Sequence, residues 1–189
     1  MLPDPYDVQL AAPVHGTVVE AERGSLPFTL IHGEALVACA AWALGEAGVR
    51  AVDVGRPWRW VVEEGGPLVL HDALCPMTPA TFVRACIDRT VADDVVVVAV
   101  RPVTDTVKQV AAGLVGETVD RDGLYVVTSP IVLPEAVVAA LSGLPSHDFA
   151  VLAAALRERF PVVTLEAPAE GRRVSSPDDV RLLEALTTP

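Results

Sequence analysis

An α/β fold with a mostly parallel sheet and helices on both faces is predicted by two features of the sequence. Short apolar segments alternate with segments of helical periodicity, which is the order that parallel strands joined by crossover helices require. Hydrophobic residues make up 51% of the chain and aromatic residues only 5%, so Val, Ala and Leu must build the core, as in buried parallel sheets. At 189 residues the chain suits one domain, and we expect residues 1–189 to form a single unit.

The individual elements follow from apolar periodicity and from turn residues. The predicted strands are 7–11, 50–54, 68–71, 93–100 and 161–166, and a loop follows the first of them to about residue 33. The predicted helices are 34–48, 79–90, 134–142, 147–158 and 177–187. Ser176 and Pro177 give the last helix an N-cap and a first-turn proline, which fixes where it begins.

Residues 103–127 interrupt this alternation. Apolar and polar residues alternate there around a glycine-containing turn, which predicts a long β-hairpin. The segment is too polar for central strands of a buried sheet. We therefore expect a protruding hairpin arm that covers a site or pairs with another subunit.

Charge and cysteine content exclude several classes of function. A net charge of −11 without a basic cluster argues against binding nucleic acid. No apolar stretch approaches the roughly 18 to 20 residues of a membrane-spanning helix, and the first residues do not resemble a signal peptide, so we expect a cytoplasmic protein without membrane contact. Cys39, Cys75 and Cys86 have no metal-binding spacing and are expected to be reduced thiols, with Cys39 and Cys86 as small core residues.

Four segments carry a resemblance to a known family, in the same order and at compatible spacing. The segment LVLHDALCP (68–76) is similar to the family motif VLVHDAARP, and RPVTDTVKQV (101–110) is similar to PVxDTIK. ETVDRDGLYVVTSP (117–130) is similar to TxDRxxLWxxQTPQ, and GRRVSSPDDVRLLEAL (171–186) resembles NIKITTPEDLxxAE. On these residues the chain resembles the 2-C-methyl-D-erythritol 4-phosphate cytidylyltransferases.

The resemblance implies a fold and a reaction. It implies a Rossmann-like nucleotidyltransferase domain in which the hairpin arm joins two subunits into a homodimer. The implied reaction belongs to isoprenoid precursor synthesis by the methylerythritol phosphate pathway: an oxygen of the sugar phosphate attacks the α-phosphate of CTP and pyrophosphate leaves. Charge developing on the phosphate calls for Mg²⁺ and cationic side chains.

The resemblance also implies roles for particular residues. Asp72 would hold the metal, and Arg173 stands where the family has a catalytic lysine. Arg121 would act from the arm on the sugar phosphate of the facing subunit, in a pocket lined by Asp105 and Thr106. Lys108, on the same arm, is expected to face solvent.

The segment LAAPVHGTVVEAERGSLPFTL (10–30) departs from the family pattern AAGxGxRMGxxxPKQ, whose glycines and cations cradle the triphosphate. Aligned in this way, Pro13 replaces a loop glycine and removes a backbone donor, while Phe28 replaces the lysine. Arg23 lies nearby but out of register and is interpreted as a solvated loop cation. The sequence therefore predicts that this segment lacks the family's nucleotide-binding loop, and it leaves the cofactor-binding residues unknown.

Further departures affect the base and the acceptor. GRPWRWVVEEGGP (55–67) is too short for the family helix and GGxxRxxSV segment that contact the nucleoside, and Trp58 and Trp60 are expected to pack over the shortened edge. Cys75 replaces an arginine, and Thr128 and Ile131 replace two glutamines.

Three functions remain open from the sequence, and whether the protein is an enzyme is left undecided. The first is a divergent member with impaired or lost CTP-dependent transfer, acting as a binding or regulatory partner without a cofactor. The second is an active Mg²⁺-dependent cytidylyltransferase that uses Asp72, Asp105, Thr106, Arg121 and Arg173. The third is transfer to another alcohol phosphate. The four histidines show no short metal spacing, and no GxSxG or GxGxxG motif supports other chemistry.

Overall fold

The computed structural model describes residues 13–188, so the predicted strand 7–11 lies outside the described residues. The strands of the main sheet are β1 (His15–Val19), β4 (Arg50–Ala51), β5 (Leu68–Asp72), β6 (Val96–Pro102), β9 (Tyr125–Leu133) and β10 (Val162–Glu166). Two small antiparallel pairs lie outside it: β2 (Leu30–Ile31) with β3 (Glu34–Ala35), and β7 (Val107–Ala111) with β8 (Leu114–Val119).

The main sheet is mostly parallel, as predicted. Its strand order is β10-β6-β9-β5-β1-β4, and within residues 13–188 only β9 runs antiparallel to its neighbours. The register pairs His15 with Leu68 and Val19 with Asp72, so β1 and β5 end together. This shared carboxyl edge is where open α/β sheets place their ligands.

Helices cover both faces of the sheet, which confirms the predicted layers. Their bounds are α1 (Leu36–Glu46), α2 (Trp58–Glu64), α3 (Ala80–Asp93), α4 (Glu135–Ala140), α5 (Phe149–Arg157) and α6 (Pro177–Thr187). Along β5, Leu68 and Leu70 pack on the side of α2, α4 and α5, whereas Val69 packs against α1 and α3. Successive strand residues thus enter opposite layers, and both layers are apolar.

The predicted arm is present as a hairpin of its own. Strands β7 and β8 pair with each other, and Ala112 and Gly113 join them with positive φ angles of 49° and 78°. Two successive residues with positive φ form the tight two-residue turn whose twist matches that of the paired strands. Nearly every residue from 103 to 125 is exposed, as the polar alternation predicted.

Three parts of the sheet and its connections were not predicted. Residues 15–19 were expected to lie in a loop but form β1, where Gly16 has no room for a side chain: a Cβ there would lie 2.6 Å from Val49 Cγ1. Residues 58–64 were expected to be an irregular connection but form α2. Residues 125–133 form the central strand β9, although 125–127 were assigned to the end of the arm and 128–133 to no element, so the arm ends earlier than predicted.

No helix within residues 13–188 has the length and apolarity needed to cross a lipid bilayer.

Candidate functional site at the carboxyl edge of the sheet

Asp72 is the centre of the candidate site. It is the last residue of β5, and its side chain is only 1% exposed. The backbone N–H of Ala73 donates to the carbonyl of Val19 (3.1 Å), which extends the pairing of β1 and β5 just past Asp72. The strand end therefore holds a carboxylate inside the protein, where it needs hydrogen-bonding partners.

Arg23 provides the first partner. It follows β1 in a turn closed by its own N–H, which donates to the Glu20 carbonyl (3.2 Å). Its Nε donates to Asp72 Oδ1 (3.0 Å) and its Nη2 to Oδ2 (3.1 Å), the two-pronged geometry that suits guanidinium and carboxylate. Nη2 also donates to the carbonyl of His147 (2.7 Å), and the Arg23 side chain is only 5% exposed. The interpretation of Arg23 as a solvated loop cation is therefore wrong.

Arg173 provides the second partner. Its Nε donates to Asp72 Oδ2 (3.0 Å), and its side chain is about one third exposed. The adjacent Val174 fixes this position, because its side chain is buried against Leu36 and Leu74 and its N–H donates to the Leu74 carbonyl (2.8 Å). The structure thus brings together two residues that the resemblance assigned to the site, Asp72 and Arg173.

The Asp72 carboxylate has no free acceptor position. Besides the three bonds from arginine, Oδ1 accepts from the N–H of Leu74 (3.0 Å), which makes four donors for about four lone-pair sites. Residues 13–188 contain no group of three or more His, Cys, Asp or Glu side chains placed to hold a metal ion. This arrangement does not fit Mg²⁺, and the metal role of Asp72 stays a prediction.

Ser129 and His71 form a buried hydrogen-bonded pair that contacts the backbone of Asp72. Ser129 Oγ accepts from the backbone N–H of Asp72 (2.8 Å) and is also hydrogen-bonded to His71 Nδ1. Burial lowers the pKa of His71 to about 4, against a smaller opposing effect of the Asp72 charge. Sequence reasoning missed this pair, although Ser129 lies within the segment that resembles QTPQ.

The arm residues form a separate group. Arg121 Nη1 donates to the carbonyl of Thr104, and Asp105 and Thr106 lie exposed in the same loop. Lys108 is exposed and donates to Thr118 Oγ1 (2.6 Å) across the hairpin. Within residues 13–188, no hydrogen bond or ion pair connects these residues with Asp72 or Arg173. The predicted roles of Arg121, Asp105 and Thr106 stay predictions.

The loop after β1 differs from the expected alignment. Pro13 precedes β1 instead of standing in the loop, so it cannot replace a loop glycine; the expectation for Pro13 is wrong. The loop consists of residues 20–25 and carries the exposed carboxylates of Glu20 and Glu22 beside Arg23. Phe28 follows in a short 3₁₀ turn and is exposed. The loop thus contains one glycine, Gly24, and two acidic side chains.

The departures near the base and the acceptor have structural roles. Trp58 packs against the core and donates its Nε1 proton to the Val138 carbonyl (3.0 Å), as expected, whereas Trp60 is exposed beside Arg56. Cys75 and Ile131 are fully buried. Asp148 caps α5, accepting from the N–H groups of Ala150 and Val151.

A cleft of about 620 Å³ lies at the other edge of the sheet. Its lining includes Val14, Pro67 and Pro134, which precede β1 and β5 and follow the antiparallel β9. All three positions are at the end of the sheet opposite Asp72. The Asp72 cluster is therefore not part of this cleft.

A mostly parallel sheet with a buried carboxylate and two arginines at its carboxyl edge, and with an arm inserted beside it, is a Rossmann-like nucleotidyltransferase fold. The family model of 2-C-methyl-D-erythritol 4-phosphate cytidylyltransferase matches residues 50–153, which is more than half of the chain. The chain belongs to this family.

Individual relatives agree with this assignment. A 2-C-methyl-D-erythritol 4-phosphate cytidylyltransferase of Frankia casuarinae is 36% identical over 144 residues, covering 74% of this chain and 53% of that protein. One from Nocardia farcinica is 32% identical over 142 residues, covering 74% and 61%. The chain thus spans between half and two thirds of the length of these curated relatives.

Solved structures show the same fold. The cytidylyltransferase of Thermus thermophilus superposes with a TM-score of 0.69 at 22% identity, covering 92% of this chain and 98% of that one. The 4-diphosphocytidyl-2C-methyl-D-erythritol synthase of Anaerococcus prevotii gives 0.67 at 14% identity, covering 92% and 95%.

Proposed function

We propose that this chain is a divergent cytidylyltransferase-like protein whose CTP-dependent transfer is impaired or lost and which acts by binding, in the cytoplasm. The observation that carries the proposal is that the two arginines at the carboxyl edge are engaged in hydrogen bonds within the protein. Arg23 and Arg173 both donate to Asp72, so neither presents its full set of donors to a phosphate.

The loop after β1 supports the same conclusion by its charge. A triphosphate carries about four negative charges, and it needs backbone N–H groups and several cations around it. Residues 20–25 contain one glycine, and they carry the negative charges of Glu20 and Glu22 at the position where the phosphates would lie. The protein as a whole has a net charge of −11. Like charges close together oppose binding, so CTP should bind weakly or not at all.

The binding role is proposed for the arm. Arg121, Asp105 and Thr106 are exposed at its base and available to a sugar phosphate held between two subunits. Two-stranded hairpins are marginal on their own in water, so a partner surface would keep the arm ordered. We therefore propose a homodimer joined through the arm, with sugar phosphate as its ligand.

An active Mg²⁺-dependent enzyme is the second candidate. Two arginines already stand at the carboxyl edge, and release from Asp72 would free both for the phosphates of CTP. Because Thr128 and Ile131 replace the two glutamines of the family motif, such an enzyme could transfer CMP to another alcohol phosphate.

Calorimetry with CTP and Mg²⁺, with and without methylerythritol phosphate, separates these functions. We expect no micromolar binding of CTP and no release of pyrophosphate, while the Frankia casuarinae relative under the same conditions serves as the positive control. Micromolar CTP binding with pyrophosphate release would establish the active enzyme instead.

The arm is tested separately. Methylerythritol phosphate should raise the melting temperature of the wild-type protein, and Arg121→Gln should abolish that effect. Arg181→Gln is the matched control, since Arg181 is an exposed arginine on α6 whose Nη1 donates to Asp178 Oδ1 on the same helix (2.7 Å). If both variants respond like the wild type, the arm is not the binding site.

A further inference from the structure

The surroundings of Asp72 are those of a bound anion. Its two oxygens accept four hydrogen bonds, from Arg23 Nε, Arg23 Nη2, Arg173 Nε and Leu74 N, at 3.0 to 3.1 Å. Guanidinium forks and backbone N–H groups are also the donors that proteins use for phosphate oxygens. The cluster is therefore built to hold an oxyanion, and the oxyanion it holds is a side chain of the same chain.

The charges within the cluster explain why Asp72 is needed. Arg23 is almost fully buried and always charged, so without a counter-ion it would carry a large desolvation cost. Two arginines and one carboxylate leave a net charge of +1 in the cluster, whereas loss of the carboxylate would leave +2. Two unpaired arginine charges would attract a small anion, although Glu20 and Glu22 in the loop of Arg23 oppose that attraction.

Asp72 and its partner Arg23 together connect four separate segments. Arg23 comes from the loop after β1 and also donates to His147, in the segment before α5. Asp72 ends β5, and Arg173 belongs to the segment before α6. Removing the charge of Asp72 would therefore loosen the whole carboxyl edge.

We propose that Asp72 is the internal counter-ion of Arg23 and Arg173, occupying the place of a ligand oxyanion, and does not bind a metal ion. It is a positioning residue that keeps both arginines at the carboxyl edge. Neutralising it turns the cluster into a binding site for a small phosphate-type anion.

The test compares Asp72→Asn with wild type, using pyrophosphate alone as the probe. The variant should melt on the order of 10 °C lower, because buried Arg23 loses its counter-ion. Pyrophosphate at about 100 times its dissociation constant should then restore several degrees in the variant and almost none in the wild type. Because the test uses neither CTP nor Mg²⁺, this proposal can fail while the proposed function stands. The proposed function can likewise fail while this proposal stands.

Two further variants make the outcome specific. Asp88→Asn, at an exposed aspartate with a single arginine partner, should behave like the wild type. Asp72→Asn combined with Arg173→Gln should lose the gained pyrophosphate binding by about tenfold or more, because a charged donor is removed. A folded Asp72→Asn variant that gains no pyrophosphate binding would overturn the proposal.

A measurement on the wild-type protein tests whether Asp72 binds a metal ion, even if Asp72→Asn does not fold. Mn²⁺ at micromolar concentration broadens NMR signals close to its binding site. We expect the backbone amide signals of Asp72 and Leu74 to stay sharp. Selective broadening of these two signals would show a metal site at Asp72 and would overturn the proposal.

Discussion

Ser129 and His71 are hydrogen-bonded in the buried part of the site, and the same Ser129 hydroxyl accepts the backbone N–H of Asp72. The imidazole is fully buried, and this burial lowers its pKa to about 4. His71 is thus neutral at pH 7. A change of its charge would disturb the residue that positions the end of β5.

The lowered pKa of His71 makes stability depend on pH. In the unfolded chain its pKa is near 6.5, so between pH 6.5 and about 4 the unfolded state binds more protons than the folded state. Stability should therefore fall as pH falls through this window, by up to about 3 kcal/mol for this residue.

Chemical denaturation at a series of pH values measures this dependence. In His71→Asn the slope between pH 6.5 and 4 should be smaller than in wild type, since the titrating group is gone. His32→Asn, at an exposed histidine, should keep the wild-type slope. Equal slopes in wild type and His71→Asn would contradict the prediction.

Replacing Arg23 should cost stability. Arg23→Gln leaves the buried Asp72 with Arg173 and one backbone donor, and we expect a loss of about 3 kcal/mol in the free energy of unfolding in urea. Arg23→Lys should recover only part of it, because an ammonium cannot donate to both oxygens in the same fork. Arg181→Gln, at an exposed ion pair on α6, should change stability by less than about 1 kcal/mol. A similar small change in Arg23→Gln would mean that the cluster is not stabilising.

The arm should control association. Val110, Leu114 and Val115 are exposed by more than 60% near the hairpin turn, an apolar surface that a partner subunit would cover. We expect sedimentation to show a dimer at micromolar concentration and Leu114→Asp with Val115→Asp to give a monomer. Val151→Asp, at an exposed apolar residue of α5, should remain dimeric. A wild-type protein that is monomeric throughout would contradict the proposed dimer.

The three thiols should react slowly in the native protein. Burial raises the pKa of Cys75 well above its usual value and that of Cys86 to about 12, and burial also raises the pKa of Cys39. Because the thiolate is the reactive form, a disulfide reagent at about pH 8 should modify at most Cys39 before unfolding and all three thiols afterwards. Cys39→Ser should remove the native reaction, and rapid modification of that variant would show that a buried thiol is accessible.

Much of the fold could be predicted because long apolar runs and helix caps determine an element through residues that are adjacent in the sequence. Val96–Val100 is apolar enough to be a buried strand in any context, and Ser176 with Pro177 marks the start of α6 within the sequence itself. Strand β1 could not be predicted in the same way. His15, Gly16 and Thr17 have no strand pattern, and Gly16 is required only because Val49 and Val69 approach it in the folded protein.

The site was predictable only where a motif is continuous. Asp72 and Arg173 lie in segments that resemble family motifs, and they meet in the structure. Arg23 was misjudged because the alignment treated Pro13 and Gly16 as residues of the nucleotide loop. In the structure Pro13 precedes β1 and Gly16 lies within it. Nothing local distinguishes a loop arginine that faces water from one that reaches a carboxylate 49 positions further along the chain.

The antiparallel strand β9 of the main sheet has a consequence for how this protein can change. Since β6 and β9 are neighbours and Pro102 pairs with Tyr125, the chain leaves and re-enters the sheet at adjacent positions. A turn of about two residues could bridge that gap, as in any hairpin. Residues 103–124 are thus a detachable module: evolution can lengthen, shorten or exchange them without altering the register of the sheet or the segments that converge on Asp72.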